Sequence, residues 1–337
     1  MLTGFLGSGK TTILSRLVQN PDFVDTAIIV NEFGEIGLDH VLIEVSDERI
    51  VDLSCGCICC TIRGDLVSTL VGLYERRKAG EIRRFRRVVL ETTGLADPAP
   101  IIHTLMQEPL VFERYHLARV VTAVDAVNGM ITFDCQPEAV KQAAVADSLL
   151  VTKTDIANNA DAVAALEARL SNINPGAECN ICVKGETDPA LLFSGGLYDP
   201  AEKGRYVSEL LTQETASSPH EHNVDVTRHG DGIHTFSLSR TDAVSRGGLG
   251  AFTQMLADQK GDDLLRLKGL VLLTEDLARP AVVHGVQHVI HPIRRLNAWP
   301  DDTVETRLVF IVRDVEKQWF EDLWDRAVAS PYADLVV

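Results

Sequence analysis

The chain has 337 residues, 45% of them hydrophobic, and carries a formal net charge of −16. Its length suits about two domains of roughly 100 to 200 residues each. No apolar run approaches the about 18 residues of a membrane span, no secretory signal pattern is present, and the acidic balance argues against nucleic acid as the main partner. A soluble, cytoplasmic protein with neither membrane nor nucleic-acid partners is expected.

The first informative segment is Gly4-Phe5-Leu6-Gly7-Ser8-Gly9-Lys10-Thr11, which spells G-x-x-x-x-G-K-S/T and runs through Thr12 into an amphipathic stretch with Ile13, Leu14, Leu17 and Val18. Glycines let such a loop wind so that successive backbone N–H groups converge on phosphates, and the following helix adds its positive N-terminal end. Lys10 is placed to reach the outer phosphates and the Thr11 hydroxyl to meet Mg2+. A strand of about five residues should precede the loop, yet only Met1, Leu2 and Thr3 stand before Gly4. The expectation is therefore a shortened first strand and a weakly anchored loop.

Apolar, β-branched segments then alternate with helical patterns. Strands are expected at Ala27 to Val30, Val88 to Leu90, Val120 to Val124 and Leu149 to Val151, with a last one at Ala177 to Val183. Helices are expected near 11–19, 62–78, 137–146 and 159–171. This alternation reads as an α/β fold of the P-loop NTPase type, with a mostly parallel sheet flanked by helices. Asn31-Glu32-Phe33-Gly34-Glu35 follows the second strand, where a mobile acidic loop can order around Mg2+ and a γ-phosphate; Glu32 joins Lys10 and Glu91 as a catalytic candidate. Arg87-Val88-Val89-Leu90-Glu91 is a strand ending in an acid suited to Mg2+, and Gly94 beyond it can turn its N–H toward a γ-phosphate.

Thr152-Lys153-Thr154-Asp155, after the strand Leu149 to Val151, resembles the guanine-reading N-K-x-D pattern. Asp155 would accept from guanine's N1–H and exocyclic amine, a donor pair adenine lacks, while the Lys153 stem would cover the base. Thr152 stands where Asn is usual, and weaker bracing of this loop is the expectation. The guanine reading disfavours an ATP-dependent kinase.

Of the seven cysteines, Cys55, Cys57, Cys59 and Cys60 fall within six residues. This odd count and clustering fit a thiolate metal site in a reducing compartment better than a disulfide framework. The spacing differs from paired C-x-x-C knuckles, so an incomplete, exchangeable site is expected, with a structural zinc loop or a redox pair as alternatives. The run from Arg76 to Arg87 is strongly basic, read as a solvated helix end, with a docking surface as the lesser reading. Residues 188–233 read as a linker, turn-rich and then polar, with His220, His222 and His229 close together. From 234 to 337 strand-like runs (His234 to Leu238, Gly269 to Leu273, Ala281 to Val283, Thr306 to Val312) surround helices at Leu249 to Ala257 and Val315 to Ala329. A smaller α+β domain is expected there, with residues 1–187 as the nucleotide domain.

Taken together, Gly4 to Thr12, Asn31-Glu32-Phe33-Gly34, Gly56-Cys57-Ile58-Cys59-Cys60, Glu91-Thr92-Thr93-Gly94-Leu95-Ala96-Asp97-Pro98 and Thr152-Lys153-Thr154-Asp155 resemble the CobW-type family of P-loop GTPases. Lys268-Gly269-Leu270-Val271 and Trp299-Pro300 before Arg307-Leu308-Val309-Phe310 are similar to that family's second domain. The resemblance implies a GTP-hydrolysing metallochaperone that delivers Zn2+, Co2+ or a related ion to a client metalloprotein. It further implies Cys57, Cys59 and Cys60 as ion ligands, Thr11 and Glu91 at Mg2+, and Gly4, Gly7, Ser8, Gly9, Lys10, Thr11, Thr12, Gly94, Thr152, Lys153 and Asp155 around GTP. A GTP-regulated interaction protein with a structural zinc site, and a metal storage or sensing module, are the alternatives, and a homo-oligomer stays open. With no arginine finger or water-positioning Gln to assign, slow intrinsic turnover is expected.

Overall fold

The computed structural model describes residues 1–23, 25–30, 50–52, 62–157, 160–193, 232–291 and 293–329. They divide into two compact units, Met1–Leu170 with Ala177–Ser194, and Ser171–Gly176 with Gly195–Val337.

The first unit is built on a seven-stranded sheet whose every pairing is parallel. In chain order the strands are β1 (Leu2–Thr3), β2 (Thr26–Val30), β3 (Ile50–Asp52), β4 (Arg87–Glu91), β5 (Val121–Asp125), β6 (Ser148–Thr152) and β7 (Glu178–Cys182), and in space they run β3-β2-β4-β1-β5-β6-β7. The chain winds to one side of β1 and then to the other. A crevice therefore opens beyond the carboxyl end of β1, where ligands settle in such sheets.

Alternation along the strands feeds two cores. Ile28, Val89, Val121 and Leu150 meet Ile13, Leu14 and Leu17 of α1 (Lys10–Val18) on one face. Ala27, Ile29 and Leu90 meet Leu66, Leu70 and Leu73 of α2 (Ile62–Ala79), together with Ile101 of α3 (Pro98–Gln107), on the other. Burial on both faces gives the near-continuous apolar runs of a parallel sheet.

The sequence reading gave no helix for α3, α4 (Pro109–Phe112) or α5 (Gly129–Cys135), although α6 (Pro137–Ala144) and α7 (Ala160–Ile173) lie where expected. Pro98 and Pro100 resemble breakers, but proline is tolerated in a first turn whose N–H groups have no intrahelical partner, and Asp97 caps α3 by accepting from the Ala99 N–H at 3.0 Å. The first strand, Leu2–Thr3, is central in its place. Leu2 aligns with both Glu91 and Val121, and Leu2 and Thr3 are wholly buried. A short α8 (Ala190–Phe193) follows β7.

The second unit carries a six-stranded antiparallel sheet: β8 (Ile233–Arg240), β9 (Leu264–Leu273), β10 (Asp276–Val286), β11 (Val289–Ile290), β12 (Arg294–Arg295) and β13 (Thr306–Arg313). Helices α9 (Arg246–Lys260) and α10 (Lys317–Val328) share one core with it, in which Phe236, Phe310 and Phe320 lie within 5.3 Å of one another, ring centre to centre. Phe320, Leu323, Trp324 and Ala327 of α10 are buried at the i, i+3, i+4, i+7 spacing of one helical face. Pairing of β9 with β10 and β13 carries it past the expected strand and through Arg266 and Lys268, which are buried in spite of their charge. No helix among the described residues is long and apolar enough to cross a membrane.

Candidate functional site

The loop from Gly4 to Gly9 leaves β1 and turns directly into α1. Gly4 has a φ of 138°, and a Cβ there would sit 2.3 Å from the Ala123 carbonyl of β5, so only glycine permits this approach. Gly7 and Gly9 are also at positive φ, 71° and 92°, the latter forming the N-terminal boundary of α1. The Lys10 side chain folds back over the loop, its ammonium donating to the carbonyls of Gly4 at 2.8 Å and Phe5 at 3.2 Å.

Across the crevice, β4 presents Glu91. Its Oε1 accepts from the Thr11 hydroxyl at 3.1 Å, joining residues 80 positions apart. Thr92 anchors this strand end to β1: its hydroxyl donates to that of Thr3 at 2.8 Å and its N–H to the Leu2 carbonyl at 3.0 Å. Gly94 then packs against the loop so tightly that a Cβ would lie 2.5 Å from the Leu6 nitrogen. Gly7, Gly9, Lys10, Thr11, Thr12, Glu91, Gly94 and Lys153 share the lining of a cleft of about 560 Å3. The Thr93 hydroxyl on its wall and the Ser8 hydroxyl in the adjoining cavity are buried without a hydrogen-bond partner among the described residues.

The third side is β6. Thr152, 4% exposed, donates its hydroxyl to the Ser8 carbonyl at 2.8 Å and lies 3.1 Å from the Val124 carbonyl. Threonine thus braces the first loop against two strands, where the sequence had suggested loose bracing. Lys153 takes a positive φ of 59° and its ammonium meets Asp125 at 2.8 Å. Burial alone would raise the pKa of Asp125, but hydrogen bonds from Lys153, Asn128 and the Val127 N–H outweigh it and hold this carboxyl below the usual range. Asp155 lies exposed in the following turn, outside the lining of the cleft. Gly185, after β7, comes close enough to α1 that a Cβ would lie 2.7 Å from the Thr12 carbonyl.

Two contributors escaped the sequence reading. Asp125 ends an apolar strand as Glu91 does, a signal that was available. Gln142 of α6, wholly buried, reaches the carbonyls of Gly94 and Ala96, and no local pattern marks it. Glu32 and the thiolates Cys57, Cys59 and Cys60 lie outside the described residues, as do His220, His222 and His229. Among the described residues no group of three or more His, Cys, Asp or Glu side chains could hold a metal ion.

The pattern of the CobW/HypB/UreG nucleotide-binding domain matches residues 1–180, and that of the cobalamin synthesis protein cobW C-terminal domain matches residues 233–328. The chain is 31% identical over 311 residues to the zinc chaperone YjiA of Escherichia coli K12, covering 92% of each chain. It is 32% identical over 181 residues to zinc-regulated GTPase metalloprotein activator 1 of Schizosaccharomyces pombe, covering 52% of this chain and 43% of that one. The crystal structure of Zn(II)-bound YjiA GTPase from Escherichia coli superposes with a TM-score of 0.70 at 25% identity, over 98% of both chains. The glycine loop locked onto β5, the Thr11–Glu91 contact and both matched domains lead to one conclusion: this chain belongs to the CobW-type family of P-loop GTPases.

Proposed function

We propose that the chain is a GTP-hydrolysing metallochaperone that takes up Zn2+ through Cys57, Cys59 and Cys60 and passes it to a client metalloprotein. Co2+ is the second ion that this donor set suits. The observation that carries the reading is the convergence of Lys10, Thr11 and Glu91 on one cleft at the carboxyl end of the sheet. The buried Thr93 hydroxyl at its wall and the buried Ser8 hydroxyl in the adjoining cavity add unused donors, and buried donors are seldom left unmatched without a functional reason.

In this reading Lys10 and the N–H groups opening α1 bind the phosphates of GTP. The Thr11 hydroxyl and the Glu91 carboxylate are hard oxygen donors in contact, a set that fits Mg2+. When bound, that ion neutralises charge developing on the β- and γ-phosphates. Lys153, steadied by Asp125, covers the guanine, and Asp155 reads its N1–H and amine.

Coupling to the cargo ion is supported by topology. β3, β2 and β4 end in register, with Asp52 beside Val30 and Val30 beside Glu91. Residues 31–49, which include Glu32, and residues 53–61, which include the three thiolates, thus depart from the same edge of the sheet as Glu91. The names of the relatives, a zinc chaperone and a zinc-regulated GTPase metalloprotein activator, point the same way.

The test is a competition titration of Zn2+ into purified protein with a non-hydrolysable GTP analogue and with GDP. Tighter binding in one nucleotide state supports the proposal, because a ligand shifts an equilibrium only by its differential affinity. Equal affinity in both states, or binding unaffected by replacing Cys57, Cys59 and Cys60 with Ser, would overturn it.

A further inference from the structure

Gln142 sits on α6, fully buried, and none of the expected chemistry uses it. Its side-chain nitrogen lies 3.2 Å from the Gly94 carbonyl and 3.0 Å from the Ala96 carbonyl. Two carbonyl acceptors require the NH2 end of the amide to face them. The other end, Oε1, is buried without a hydrogen-bond partner among the described residues. A methionine or leucine would fill this space without stranding an acceptor, so the residue is costly as packing alone. The Thr122 hydroxyl of β5 donates to the Gln142 carbonyl at 2.7 Å, fixing this turn of α6 to the sheet. The neighbouring Lys141 meets Asp97, the cap of α3, at 2.6 Å.

The consequence falls on the loop after Glu91. The Thr93 carbonyl accepts from the Ala96 N–H at 3.2 Å, and Gln142 takes the carbonyls of Gly94 and Ala96. In a trans peptide the C=O of one residue and the N–H of the next point in opposite directions. With the Thr93 and Gly94 carbonyls engaged, the N–H groups of Gly94 and Leu95 are held in fixed directions, and that of Leu95 points away from α6. Thr93, Gly94 and Leu95 line the cleft that also holds Lys10 and Glu91.

We propose that Gln142 is a positioning residue that sets the backbone N–H donors of Gly94 and Leu95 for the γ-phosphate, and thereby makes the protein distinguish GTP from GDP. The inference rests on the nucleotide reading above. Gln142 is not part of the lining of the cleft that holds Lys10 and Glu91; it acts through the peptide planes that it holds. GDP, lacking the γ-phosphate, gains nothing from that alignment.

The test compares wild-type protein with Gln142→Met, which keeps length and volume but loses both donors, and with Gln142→Asn, whose amide is drawn back by one methylene. Affinity for a non-hydrolysable GTP analogue and for GDP is measured by calorimetry, with kcat and KM for GTP and the melting temperature alongside. The expected result is GDP affinity close to wild type and a loss of about 5- to 150-fold for the analogue, the usual range of such couplings, with a matching fall in kcat/KM. Equal losses for both nucleotides would mark a purely structural residue and overturn the proposal, as would an unchanged ratio in a folded variant. If Gln142→Met does not fold, Gln142→Asn decides by the same ratio. Failure of wild-type protein to bind the analogue at all would instead strike at the nucleotide reading itself, whatever stands at position 142.

Discussion

Gly94→Ala is a sharp test of the cleft, because a single methyl group must displace the backbone of the glycine loop. The added Cβ would lie 2.5 Å from the Leu6 nitrogen and 2.7 Å from its Cα. Optimal contacts between non-bonded atoms are about 3.5 to 4.0 Å, so one of the two segments must retreat by roughly 1 Å. Neither can do so cheaply: Thr92 ties the β4 side to β1 by two hydrogen bonds, and Thr152 ties the loop side to β6. Overpacking of this kind costs about 1–3 kcal/mol, equivalent to a fall in melting temperature of roughly 2–12 °C for a unit of this size. The functional effect should exceed the stability effect, since a 1 Å misplacement of a binding group can cost about 100-fold in rate. The assay pairs calorimetric melting with steady-state GTP hydrolysis. Gly72→Ala serves as the control, being in the interior of α2 with nothing within 4 Å of the new methyl, and it should stabilise by about 0.5–1 kcal/mol without touching turnover. A Gly94→Ala protein with wild-type melting and wild-type kcat/KM would refute the reasoning.

Thr152→Val removes the hydroxyl that braces Ser8 and Val124 while keeping its shape, and should cost about 1–3 kcal/mol by stranding buried carbonyls, whereas Thr152→Ser retains the donor; urea midpoints with and without GDP check both. In the second unit, the hydrogen bond to Asp262 raises the pKa of His288 against partial burial, helped by the Ala257 carbonyl and the charge of Asp258. A raised folded pKa gives stability that is full below the unfolded value of about 6.5 and is lost as pH rises through the folded value; Asp262→Asn should therefore flatten the decline in denaturation midpoint above about pH 6.5, a small effect because the pair is solvent-exposed. Replacing Cys57, Cys59 and Cys60 together with Ser should abolish nucleotide-linked zinc uptake and leave GDP affinity unchanged, as read by competition with a chromophoric chelator.

Local pattern revealed most of the first unit because its elements obey local rules. Four apolar runs became β2, β4, β5 and β6 almost residue for residue, since strands buried on both faces are apolar throughout. The glycine loop was legible for a related reason: positive φ at Gly7 and Gly9 is a conformation glycine adopts without strain, and the contact of Gly4 with Ala123 leaves no room for a side chain, so the backbone geometry is written in residue type. Where two rules compete, reading failed. Pro98 and Pro100 argue against a helix by residue type, while Asp97 argues for one by capping, and the cap prevailed. Arg266 and Lys268 interrupt the apolar pattern of β9, yet pairing with β10 and β13 carries the strand through them. Thr152 and Gln142 mark a further limit. Their side-chain partners lie 144 and 28 positions away for Thr152 and 48 and 46 for Gln142, and nothing in the residues beside them foretells those contacts.

The alignment of the strand ends explains how one small domain could link a phosphate to an ion. Neighbouring strands are about 4.8 Å apart, so with β2 as the sole intervening strand the exit of β3 at Asp52 stands roughly 10 Å from Glu91. Over that span no long relay of side chains is required, because the ends of β2, β3 and β4 lie side by side. Linkage then makes the relation symmetrical: if the triphosphate tightens the grip on the ion, the ion must tighten the grip on the triphosphate by the same factor. A protein so arranged would hold both ligands together and lose affinity for the ion once the γ-phosphate leaves. If, as proposed, the donors that sense that phosphate are set from α6 and the ion is bound by the cysteines that follow β3 in the chain, a substitution at Gln142 should weaken the dependence of zinc affinity on nucleotide while sparing the zinc affinity measured with GDP.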